Sequence, residues 1–194
     1  MDELLEVLVV EDGNQDLETE SLIEPADVIQ CCKSLVLYEE SSGIVRFTHE
    51  TVNDYINDNI DILPPVTNLT KTCLSYLAFK VFDKPCHGKK DIEERALKYK
   101  FSLYDAQFWG HHARAAEECP NIQRTIISCF ASEDKRNAVL QLEAYANSGL
   151  RDTSFPKGHT LLHLLARMGL TRTCNLLFED NQQTGGSSTY VLYL

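Results

Sequence analysis

From residue 69 an apolar side chain returns at every fourth position: Leu69, Cys73, Leu77 and Val81, with Tyr76 beside them. A helix brings positions i and i+4 onto one face, and this spacing, sustained through four apolar residues, predicts an amphipathic helix over 68–82. The same period persists further on. Asp83–Lys90 is polar, holds Pro85 and Gly88, and reads as a loop. Residues 92–117 are expected to be largely helical, with Phe101, Tyr104, Phe108 and His112 on one face. Pro120 suits the first turn of the next helix, whose stripe is Ile122, Ile126 and Phe130. One more helix is expected over 133–147, with Val139, Leu142 and Tyr145 or Ala146 inward. Residues 63–147 therefore predict a helical bundle of about four members. Residues 148–157 read as a linker, and 158–180 as a helix–turn–helix pair around Gly169. Residues 181–194 read as a flexible, low-complexity tail.

Before Pro64-Pro65 the texture differs. Leu4, Leu5, Leu8 and Val9 give one helical stripe, and Glu11 to Glu20 is a polar interruption. Pro25 opens a second helix with Val28, Cys31, Cys32 and Leu35 on its buried face. Val36–Glu39 and Ile44–Thr48 are β-rich runs around the loop Glu40-Ser41-Ser42-Gly43, which is a hairpin signal. Val52, Tyr55 and Ile56 mark a third helix, for which Thr48 is the expected N-cap. The predicted class is mainly α, with a helix–helix–hairpin–helix unit over 1–62 ahead of the bundle.

Charge divides the chain at the same place. Residues 1–62 hold sixteen acidic groups against Lys33 and Arg46, a balance of −14, whereas the remainder carries +3 within a total of −11. Such a surface repels nucleic acid and anionic lipid and suits a basic protein partner, or serves only as a solvated acidic face. With 43% hydrophobic residues in 194, the chain can bury one ordinary domain or two small ones. No apolar run approaches the roughly 18–20 residues that cross a bilayer. The acidic start Met1-Asp2-Glu3 is unlike a secretory signal. Seven scattered cysteines without a CxxC pair read as reduced, mostly buried thiols, and the expected location is cytoplasmic.

The stretch Cys32-Lys33-Ser34-Leu35-Val36, then Arg46-Phe47-Thr48-His49, Val52 and Tyr55, resembles the winged-helix segment of NACHT proteins. That segment is also known as the GPI inositol-deacylase winged helix, and it follows the nucleotide-binding domain of fungal signalling NTPases of the STAND class. Cys73-Leu74-Ser75-Tyr76-Leu77 resembles the family's CLxYL helix. Tyr104, Trp109 and His112 resemble its later aromatic helix, with Asp105 where alanine is usual. Gly158-His159-Thr160-Leu161-Leu162-His163-Leu164-Leu165-Ala166 with Gly169, then Leu176-Leu177, is similar to one ankyrin repeat. There Leu161 stands in place of the usual proline. A repeat spans about 33 residues and needs stacked neighbours. The resemblance therefore implies a piece of a larger NACHT–ankyrin receptor, with a nucleotide-binding core and further repeats as its partners.

The chemistry-bearing residues favour binding over catalysis. No G-x-x-x-x-G-K-[ST] occurs, and Gly88-Lys89-Lys90 lacks the earlier glycine and the magnesium-binding hydroxyl, so nucleotide binding and hydrolysis are not expected. No G-x-S-x-G elbow is present. Neighbouring helical residues point about 100° apart, so His111 and His112 cannot share a metal ion from one face. Cys86-His87 lacks an evident orienting group. Leu161-x-x-Leu164-Leu165 matches a coactivator box but reads as helix core, and Asn68-Leu69-Thr70 matches a glycosylation acceptor that a cytoplasmic chain does not use. The expected catalytic, cofactor and metal residues are none. The candidate protein-interaction residues are Arg46, His49, Leu161, Leu165, Leu176 and Leu177, although His49 is more simply read as a helix-start residue bonded to backbone.

The expected role is a non-enzymatic coupling fragment of a NACHT–ankyrin signalling protein. A DNA-binding winged-helix regulator is the alternative; it needs basic residues on the third helix and hairpin, where Glu39, Glu40, Glu50 and Asp54 stand instead. A small hydrolase is the more remote one. The two-helix end should leave Leu161, Leu165, Leu176 and Leu177 partly exposed or pressed onto the bundle, with the 148–156 linker opening first to protease.

Overall fold

The structure, a computed structural model, describes residues 1–151, 154–155 and 157–183. It is mainly α-helical with one small antiparallel hairpin. The elements are α1 (Asp2–Leu8), α2 (Pro25–Cys31), β1 (Val36–Glu39), β2 (Ile44–Phe47), α3 (Glu50–Asp58), α4 (Val66–Leu77), α5 (Lys89–Lys98), α6 (Ser102–Ala115), α7 (Pro120–Cys129), α8 (Glu133–Asn147), α9 (Leu161–Arg167) and α10 (Thr171–Gln183). Short 3-10 turns lie at Thr19–Ser21, Ile60–Ile62 and Lys80–Phe82. The last helix runs through Gln183, three residues into the stretch expected as tail. Residues 184–194 and positions 152, 153 and 156 of the expected linker lie outside the described residues.

The core forms where α4, α6, α7 and α8 meet. Trp109, Tyr76, Phe79, Phe82 and Phe130 are its largest fully buried side chains. Trp109 and Phe130 lie 4.4 Å apart, and Tyr76 meets the edge of Phe101 at 5.2 Å. The stripes Ile122/Ile126/Phe130 and Val139/Leu142/Tyr145 are buried as the spacing predicts. Two other faces are rotated. On α4 the buried positions are Thr70, Cys73, Leu74, Tyr76 and Leu77, and Leu69 is exposed at the rim. Of the expected aromatic face, Phe101 is buried just before α6, Tyr104 and His112 are half-buried and Phe108 is at the surface. The inward face is Ser102, Asp105, Ala106, Trp109, Gly110 and Ala113. Small side chains let α6 approach α4 and α8 closely, and a hydrophobicity pattern overlooks them. Residues 92–117, expected to be largely helical, are so in two helices, with a break at Tyr99–Phe101.

Four buried charges close helix ends. The Glu6 carboxylate accepts from Tyr76 Oη at 2.5 Å and from the N–H groups of Lys100 and Phe101 at 2.8 and 2.9 Å, just before α6. Glu117 accepts from Thr173 N–H in the first turn of α10, at 2.8 Å. Lys135 Nζ donates to the Leu77 and Phe79 carbonyls after α4 and pairs with Asp83 at 2.9 Å. Arg136 donates to the Phe130, Ala131 and His159 carbonyls beyond α7. Carboxylates sit at amino ends and cations at carboxyl ends, where orphan backbone groups and the helix dipole favour them.

The α9–α10 pair belongs to the same core. Leu161, Leu164, Leu165 and Leu170 are buried in it. Thr160 and His163 form a capping box at the start of α9. Gly169, at φ +70°, reverses the chain so that Leu170 N–H reaches the Leu165 carbonyl at 2.9 Å, a Schellman stop. Arg167–Glu143 at 2.6 Å, Arg172–Glu118 at 2.9 Å and Arg114 Nε to the Met168 carbonyl at 3.0 Å tie the pair to the bundle. Close approach is permitted by Gly110, where a Cβ would overlap Met168 Sδ.

The amino-terminal third behaves otherwise. α1 and the segment after it lie on the bundle through Glu6, through Asp16 accepting from Tyr99 Oη at 2.7 Å, and through Lys80 N–H donating to the Gln15 carbonyl at 3.0 Å. The Leu4/Leu8 stripe expected to be inward is exposed, while Val7 and Val10 pack on the core. Between Val7 and Leu69 no residue is fully buried.

Candidate functional site

α2, the hairpin and α3 share no fully buried side chain; their inward residues are half-buried. Residues opposite one another across an antiparallel pair share a face. In the register Val36↔Phe47, Leu37↔Arg46, Tyr38↔Val45 and Glu39↔Ile44, Val36, Tyr38 and Val45 form the half-buried face. Leu37, Ile44, Arg46 and Glu39 form the outer one, with Leu37 and Ile44 at 47% and 55% exposure. Among the described residues, ten of the eighteen exposed large hydrophobic ones fall within 22–63. That concentration makes this unit the candidate site, because isolated exposed leucines are ordinary but clustered ones mark contact surfaces.

Its charge is equally one-sided. Glu18, Glu20, Glu24, Asp27, Glu39, Glu40, Glu50, Asp54, Asp58 and Asp61 are all exposed, against exposed Lys33 and Arg46. Among the described residues, none of these groups enters an ion pair. The acids ring an apolar surface, and their field is open to solvent.

The expected site residues fall in two places. Arg46 is exposed on β2. His49, rather than Thr48, is the N-cap of α3; its Nδ1 accepts from Thr51 N–H at 3.3 Å. Thr48 instead donates its hydroxyl to the Ser34 carbonyl at 2.5 Å, closing the base of the hairpin. Leu161 and Leu165 are buried in the bundle core, and Leu176 and Leu177 are half-buried on α10. Leu161 and Leu165 are thus spent inside the chain and offer nothing to an outside partner. Leu35 and Cys31, expected on the buried face of the second helix, are exposed, Leu35 lying beyond the end of α2 at Cys31, and sequence reasoning gave Leu37 and Ile44 no role at a surface. The available signal was the run Leu35-Val36-Leu37-Tyr38, apolar on both faces of one strand where a half-covered strand alternates.

The other candidate residues are spread over the bundle. Cys86 is buried, its backbone held at both N–H and carbonyl by Gln141 at 2.7 and 3.0 Å. Burial pushes its thiol up, which disfavours the nucleophilic thiolate. Burial likewise raises Cys73 beyond the normal thiol range and Cys129 to about 12. All seven cysteines are free; two are buried and most of the rest half-buried, fewer in the core than expected. His111 is exposed, and half-buried His112 contacts Tyr104 Oη at 3.1 Å; burial and His111 lower its pKa. Among the described residues no group of His, Cys, Asp and Glu is arranged to hold a metal ion, and no helix is long and apolar enough to cross a membrane.

Comparison with protein-family profiles, with curated proteins and with solved structures yields no match.

Proposed function

We propose that the chain is a non-catalytic interaction segment of a NACHT–ankyrin signalling protein. In this reading the α2–hairpin–α3 unit receives a partner surface, and the bundle with α9–α10 is the rigid body that carries the movement onward. The partners are protein surfaces, namely a nucleotide-binding core and further repeats, and neither nucleic acid nor membrane. The location is cytoplasmic.

The observation that carries the reading is the contrast in burial. Residues 70–170 share one core, while 18–63 hold ten exposed large hydrophobic residues among ten exposed acids. A unit that contributes nothing to its own core but exposes so much apolar surface is suited to being covered by another body. The acidic surface of α3 speaks against a phosphate backbone as that body.

The test is the coding frame on either side of this chain, followed by binding. A frame encoding a glycine-rich phosphate loop before Met1 and further repeats after Leu194 is expected. The encoded core should co-purify with this chain and slow hydrogen exchange within 22–63. A frame holding neither, or a core that leaves that exchange unchanged, overturns the reading.

A further inference from the structure

The hairpin has an open backbone edge beside an apolar wall. Thr48 N–H donates to the Leu35 carbonyl at 3.0 Å, which sets the parity of the ladder. Leu35, Leu37 and Glu39 turn their backbone groups toward β2, so Val36 and Tyr38 turn theirs outward. Among the described residues, the N–H and C=O groups of Val36 and Tyr38 on that outer side meet no partner. The edge borders a groove whose far wall is Pro25 and Ile29 of α2, with Leu37 along its rim and Glu24 and Glu40 flanking it.

We infer that this edge of β1 takes an extended, basic peptide segment as a third strand. Four outward backbone groups match the hydrogen-bonding pattern of an added strand, and a helix satisfies none of them. Side chains alternate on a strand. One set of the incoming residues therefore enters the groove against Pro25 and Ile29 and should be apolar. The other set faces water among Glu24, Glu39 and Glu40 and should be lysine or arginine. Charge also selects against the obvious rival. A second copy of this chain pairing edge to edge brings one acidic third, at −14, against another. The inference deepens the reading of this unit as a docking surface but does not depend on the NACHT–ankyrin context, so the coding-frame result leaves it untouched.

The test uses the full chain and a fluorescent heptapeptide of alternating lysine and valine, read by anisotropy. Three companions accompany it: the glutamate/valine peptide, a lysine/serine peptide, and the lysine/valine peptide with its central amides N-methylated. The lysine/valine peptide is expected to bind and to protect Val36 and Tyr38 amides from exchange. N-methylation should weaken it at least tenfold, because charge and side chains remain while backbone pairing is lost. The charge-reversed variant Glu24→Lys/Glu40→Lys should weaken it about tenfold, both positions being exposed. Val36→Pro removes an outward N–H at the first residue of the strand, where proline is tolerated, and should abolish the protection. Equal binding of the N-methylated, lysine/serine or glutamate/valine peptide overturns the inference. So do the absence of binding, protection mapping elsewhere, and a concentration-dependent dimer that Val36→Pro dissociates. The N-methylated peptide needs no altered protein, so it decides the matter even where a variant misfolds.

Discussion

Asp105 should make this protein less stable as pH rises. It sits on the inward face of α6 with no exposure, and apart from the Cys73 thiol beside it no donor reaches its carboxyl oxygens. Ser102 Oγ and Trp109 Nε1 on the same face are likewise unpartnered. Burial holds the Asp105 carboxyl well above the usual range near 3.8, and the neighbouring Cys73 thiol offsets this only in part. The folded protein therefore keeps a proton that the unfolded chain releases. Below the unfolded carboxylate's range that costs nothing. Above it each pH unit removes about 1.4 kcal/mol of stability, until the pH passes the raised folded-state value. Asp105→Asn keeps the shape and cannot ionise, so its stability should lack this slope. Urea unfolding followed by the fluorescence of Trp109, the one tryptophan, measures both proteins from pH 4 upward. Glu143, raised by burial, contributes in the same direction, and His112 and His159, both lowered by burial, in the opposite one. All three are common to the two proteins and cancel in the difference. The two profiles should coincide near pH 4 and diverge upward, with the variant more stable at neutral pH. Parallel profiles would mean that Asp105 is ionised in the fold and that an ordered partner satisfies it.

Glu6→Ala should cost about 4 kcal/mol, since it strips the acceptor from Tyr76 Oη and two backbone N–H groups; a loss under about 1 kcal/mol in urea titration contradicts that account. Trypsin should cut at Lys33 and Arg46, and at the exposed Arg151 of the linker, before it cuts within α4 to α8, because Lys33 and Arg46 lie in the stretch without a buried residue. Protection of both while the bundle is digested would count against the division. Gly110→Val should lose about 1–3 kcal/mol by overpacking against Met168. Hydrogen exchange should accelerate first in 161–183, and uniform acceleration across the bundle would show that Gly110 serves α6 alone.

Element type was legible in the sequence wherever apolar residues recur at helical spacing or Gly and Pro punctuate the chain. Ile122/Ile126/Phe130 and the hairpin around Gly43 are examples. Facing was harder. α6 presents Ala106, Gly110 and Ala113 inward, and small residues carry little hydrophobic signal although they permit the closest packing. α1 buries a glutamate beside exposed leucines, because three donors at Tyr76, Lys100 and Phe101 await a carboxylate that only the assembled fold brings near. The charge asymmetry of the candidate surface was plain in the sequence. Its open edge was not, since strand parity depends on a single hydrogen bond from Thr48 to Leu35. Leu161 and Leu165, read as available to partners, are consumed by the core because α9 packs on α8 and α10 on α7.

α6 links the amino-terminal segment to the terminal pair. Its start is held by Glu6 from α1, and Gly110 seats Met168 at the end of α9. Nine residues of helix separate Phe101 from Gly110, about 14 Å at 1.5 Å per residue. A rigid helix with a polar latch at one end and a steric seat at the other transmits a shift along its axis, provided that both ends respond to the same displacement. Spatial continuity alone does not establish this. The double variant Glu6→Ala/Gly110→Val supplies the evidence. If α6 moves as one strut, releasing its amino end lets it slide away from Met168, and the valine then costs less than in the intact protein. The two losses should fall short of additivity by at least about 0.5 kcal/mol. Sites this far apart with no shared partner otherwise add. Additive losses would show that the latch and the seat are independent, and that movement of α1 does not reach α9 through this helix.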